Sequence, residues 1–215
     1  MERRSVRDFV MEDMWNDNLM VGNEVKGCVT GEGFPTAEKK EEFCQGIFAT
    51  FPHMMLSHFV GWMWPDGAPN DYQAFMDRSL PPLQEKVFPE LESYFRGDLA
   101  PGEKAQLMAV LLTRVIPQHV FTGFYEHMFA GSEDYKDIAG FWAEVAPLLE
   151  MTAELIRTSY TLSAEARAEV FLYVGCRYPF LLIKRWYDWQ FGKDKLEMGP
   201  PPADAEGGPG GPPPM

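Results

Sequence analysis

The stretch LMAVLLTRVIPQHVFTGFY, residues 107–125, decides how this chain is read. Over Leu107–Ile116 large apolar groups such as Leu111, Leu112, Val115 and Ile116 fall at neighbouring positions, so one amphipathic stripe does not describe that part. A helix that is apolar on nearly every side is normally central, with other elements packed around it. Arg114, Gln118 and His119 interrupt the run, whereas a bilayer span needs about 20 mostly apolar residues with few charges. A buried core helix is therefore expected, with no membrane insertion. A second run, VFLYVGCRYPFLLI at residues 170–183, has the same character and is placed beside the first.

Working outward, apolar residues recur at three- and four-residue spacing on both sides of these runs, and no period-2 alternation is long enough for a sheet. Val6 to Met20 forms a first helical region, Gly22 to Pro35 a glycine-rich loop, and Ala37 to Trp64 a second region. Pro65-Asp66-Gly67-Ala68-Pro69-Asn70 stops that region, and Asn70 or Asp71 can cap a third that runs to Phe95. Pro81-Pro82 should interrupt the third region, because each proline removes a helical N–H and its ring crowds the preceding turn. Pro101 and Glu103 suit the start of the fourth region, which runs to Phe129. A fifth covers Glu133 to Tyr160, and Ser163 caps a sixth that reaches Phe191. The fold class is all-α: a single bundle of about six kinked helical regions over residues 1–195. Residues 196–215 form a tail expected to be disordered, since Gly199 to Met215 holds seven prolines and five glycines in seventeen residues.

Lys and Arg number 19 against 32 Asp and Glu, a formal charge of -13, which disfavours a nucleic-acid surface. Cys28, Cys44 and Cys176 are odd in number and widely spaced, as in a reducing cytosol, and no secretory signal opens the chain. A cytoplasmic protein is expected. No nucleophile–base pair, phosphate loop or metal-binding spacing is present, and nothing in the sequence sets an oligomeric state.

Three groups of residues remain as candidates. Arg114 and Arg177 each sit in the most apolar part of their region. Each should meet a carboxylate such as Glu126, Glu150 or Glu154, reach an edge, or clamp an anionic ligand together with His119 and Glu126. Trp62, Trp64, Trp186 and Trp189 cluster at the ends of two regions, where they either anchor a partner or close the bundle. His58 or His119, with a methionine opposite, could hold a haem or a metal. The leading expectation is a non-enzymatic helical binding protein of chaperone or assembly-factor type. It would take a protein or peptide segment in a groove lined by methionine and aromatic side chains, with no cofactor. A haem- or metal-binding sensor and an enzyme with an anion-clamping pocket are the alternatives.

Overall fold

The structure, a computed structural model, describes His53 and residues 56–68 and 70–192, with the side chains at 95, 172, 175–177 and 180 excepted. The first helical region, the glycine-rich loop, most of the second region, the proline-rich tail, Cys28, Cys44 and the side chains of Cys176 and Arg177 lie outside that set. The described residues form helices and no strands: α1 (56–63), α2 (Tyr72–Arg96), α3 (Pro101–Phe129), α4 (Ile138–Ser159) and α5 (Ala164–Phe191). The all-α class holds.

Local chemistry sets the boundaries. The Asp71 carboxylate accepts from the N–H groups of Gln73 and Ala74 at 3.0 and 3.2 Å and starts α2, and Gly97, at φ 86°, ends it in the left-handed region. Pro101 opens α3, while Glu103 accepts from the Ala100 N–H at 2.8 Å. Ser163 caps α5 through the Ala166 N–H. The fifth region differs from expectation: α4 begins at Ile138 under an Asp137 cap, and 130–137 is a turn. That turn has other duties. The Lys136 N–H donates to the Tyr125 hydroxyl, and the Lys136 ammonium caps the carbonyls of Trp189 and Gln190 near the end of α5.

The prolines do not break the helices as the sequence suggests. Helix α2 runs straight through Pro81, Pro82 and Pro89. The carbonyls they deprive belong to residues four positions earlier, Asp77, Arg78 and Glu85, all exposed, so water can replace the lost donors. Pro117 is different because it is buried. Its missing N–H would have served Thr113, which is 0% exposed. The helix responds by widening into a π-turn over Leu111–Val115, and the Tyr178 hydroxyl donates to the Thr113 carbonyl at 3.0 Å. Burial pushes the Tyr178 phenol above its ordinary range, so it stays a donor.

Helix α3 is the hub. Its first half and π-turn pack on α4, its second half packs antiparallel on α2, and α4 also packs on α5. Val120, Phe121, Phe124, Tyr125 and Met128 are buried, and Trp186 joins Phe59, Phe124, Tyr125 and Phe129 in ring contacts at 5.4–6.2 Å between centroids. Among the described residues α3 is the one helix long and apolar enough to cross a bilayer, and half of its most apolar window is buried within the bundle. It is not enclosed on all sides as expected. Arg114, Gln118 and Glu126 are exposed along one side.

Candidate functional site

That exposed side of α3 forms one wall of an open groove of about 1030 Å³, and α2 forms the other. Helical geometry explains the wall: Arg114, Gln118, Thr122 and Glu126 follow one another at intervals of four and so share a face. From α2 come Phe75, Arg78, Ser79 and Lys86, with Asn70 just before the helix. At Gly123 the two helices lie close together, since a Cβ there would be 3.2 Å from the Phe75 ring.

One end of the groove is a fixed cationic point. A guanidinium can only donate, so the 2.7 Å contact from Arg78 Nη2 makes Nδ1 of His127 an acceptor. Nε2 of His127 then carries the proton and donates to the Asp71 carbonyl at 2.8 Å. Arg78 Nε also donates to the Ala74 carbonyl at 3.1 Å, while the Asn70 amide ties down the His127 carbonyl at 2.8 Å. Arg78 is thus held by neutral groups, and among the described residues no carboxylate pairs with it. Lys86, eight residues along the same helix, likewise has no ion-pair partner among them.

Midway, Nε2 of His119 donates to the Ser79 carbonyl at 2.8 Å. The Ser79 hydroxyl in turn contacts Nε2 of the buried His53 at 3.1 Å, so the centre of the groove is braced from behind. At the far end Arg114 reaches sideways to α4. Its Nη2 lies 3.0 Å from Oε2 of Glu150, whose Oε1 takes Nη2 of Arg157 at 2.6 Å. Arg157 and then Arg114 hold the Glu150 carboxyl below the ordinary carboxylate range.

Of the residues singled out in the sequence, Arg114, His119 and Glu126 are brought together in this groove. Arg114 has the carboxylate expected of it, Glu150, but at an exposed edge rather than in the interior. The side chain of Arg177 lies outside the described residues. His58 is exposed on α1 and does not line the groove with His119, and among the described residues no cluster of three or more His, Cys, Asp or Glu could hold a metal ion. Trp186 is 1% exposed and offers no surface to a partner in this conformation. Trp62, Trp64 and Trp189 are half-buried against Tyr187, Phe129 and Phe141, closing the aromatic end of the bundle. Nor is the groove lined by methionine, since Met63, Met108 and Met128 are core residues.

Arg78, Lys86 and His127 were missed from the sequence. The signal was present, two cations eight residues apart on one helix, but it is visible only if the helix survives Pro81 and Pro82. No protein-family model matches the chain, and neither a curated protein nor a solved structure does so.

Proposed function

We propose that this is a non-enzymatic helical binding protein, of chaperone or assembly-factor type, which holds an acidic segment of a partner protein between α2 and α3. The observation that carries the reading is Arg78: a guanidinium with no carboxylate partner among the described residues, held by His127 at 2.7 Å in a chain of net charge -13. Two further cations, Lys86 and Arg114, line the same groove. A protein this acidic that concentrates positive charge in one concavity is suited to an anionic group delivered there.

Size and polarity narrow the class. The groove, about 1030 Å³ and open, lies at the upper limit of small-molecule sites, which run to roughly 1,000 Å³. Twelve residues of α3 separate Arg114 from Glu126, about 18 Å at 1.5 Å per residue. An extended peptide of about five residues spans that length. Arg78 and Lys86 are about 12 Å apart along α2, which matches acidic side chains about four residues apart on such a peptide. Glu126 and the Gln118 amide oxygen supply acceptors for peptide N–H groups, and Glu126 disfavours the unbroken negative charge of a nucleic acid. The reading needs no cofactor, and an odd number of widely spaced cysteines in an acidic chain suits a cytosolic setting.

The test is a fluorescence-anisotropy titration with a labelled eight-residue peptide carrying glutamates at its second and sixth positions. Binding that weakens with added salt is expected, and the double variant Arg78→Ala, Lys86→Ala should lose about ten-fold or more in affinity. A peptide that does not bind, or that binds the double variant equally well, overturns the proposal.

A further inference from the structure

Glu150 lies outside the groove yet holds one of its cations, and the geometry suits exchange. Its two oxygens serve two arginines, Arg114 at 3.0 Å and Arg157 at 2.6 Å. Arg157 stands on the same helix as Glu150 and is also fixed by Glu154 at 3.0 Å. If Arg114 swings away, Glu150 keeps a charged partner. The cost of releasing Arg114 is then only that of one exposed ion pair, its two side chains each 57% accessible, and such pairs are weak in water. Arg114 itself lines the groove, so the carboxylate it would meet there has the same chemistry as the one it leaves.

We infer that Glu150 is an internal stand-in for the ligand's carboxylate: Arg114 exchanges between Glu150 on α4 and the acidic segment in the groove, and Glu150 thereby sets the affinity of the site. This rests on the acidic-segment reading of the groove. Arg157 acts as the positioning residue that makes the exchange easy, because it retains Glu150 when Arg114 departs.

The experiment uses the same labelled glutamate peptide on the full chain and on single and double variants. Glu150→Gln should tighten binding by about two- to five-fold, the range that an exposed ion pair supports. Glu154→Gln removes the same charge without touching Arg114, and should tighten binding less. In an Arg114→Gln background the gain from Glu150→Gln should disappear. Arg157→Gln, which leaves Glu150 dependent on Arg114 alone, should weaken binding. Wild-type binding with no gain in Glu150→Gln, or a gain that persists without Arg114, overturns the exchange and leaves the acidic-segment reading standing. Absence of binding to every variant overturns both.

Discussion

The two sides of α3 obey different rules. On one side Val120, Phe124 and Tyr125 are at most 1% exposed, and Phe124 and Tyr125 pack against rings from other helices. On the other, Arg114, Gln118 and Glu126 stand a few ångströms away along the same backbone and face an open groove. The helical backbone is common to both. The difference is the four-residue spacing of the polar residues, which gathers them on one face, and α2, which borders that face through Phe75, Arg78, Ser79 and Lys86. The apolar side supplies stability. The polar side contributes little to it and is free to be specialised.

Substitutions on the two sides should therefore separate cleanly. The largest effect is expected at Trp186→Ala, which empties the centre of the aromatic cluster and should cost about 3–5 kcal/mol of stability by chemical denaturation. Peptide binding by the fraction still folded should be unchanged. Next comes Tyr178→Phe, which strips the buried Thr113 carbonyl of its donor and should cost about 1–3 kcal/mol. Adding Pro117→Ala, which restores an N–H in the same turn, should make the double variant more stable than the sum of the single effects. Simple additivity would show that Tyr178 does not compensate for the proline.

Alkaline pH probes the same buried side. Burial pushes the phenols of Tyr72, Tyr160 and Tyr178 up, so each keeps its proton in the folded state after the unfolded chain has begun to lose it. The stability this represents is complete below the unfolded tyrosine value of about 10 and declines as pH rises above it. Absorbance at 295 nm should show these three ionising together with unfolding. A smooth titration of all tyrosines in the folded protein would contradict their burial. The smallest stability effect is expected on the polar side, where Arg78→Ala should move stability by no more than about 0.5 kcal/mol while impairing capture of the acidic peptide.

The sequence made the helical class legible because apolar spacing of three and four is a local property, and the caps at Asp71, Pro101 and Ser163 are chemical signals that need no partner. It misled where tertiary context decides. Pro81 and Pro82 read as a break, yet exposure makes their orphaned carbonyls cheap; Pro117 reads the same way, and the π-turn with the distant Tyr178 makes it tolerable. Residues 107–116 read as apolar all round because hydrophobes fall there at consecutive positions; Arg114 within that run, continued by Gln118, Thr122 and Glu126 beyond it, carried the groove's position. Half of the candidate site could be found that way. The other half, Arg78 and Lys86, depended on α2 surviving its prolines, and the pairing of Arg114 with Glu150 depended on how α4 crosses α3.

One measurement addresses the groove directly: amide chemical-shift mapping of the isotope-labelled protein titrated with the two-glutamate peptide. The expected result is a set of shifts confined to residues 70–86 and 114–130, together with the backbone amide of Glu150. Shifts centred instead on the exposed Met151 and Leu155 of α4, or spread around Trp62 and Trp189, would contradict an acidic-segment site between α2 and α3.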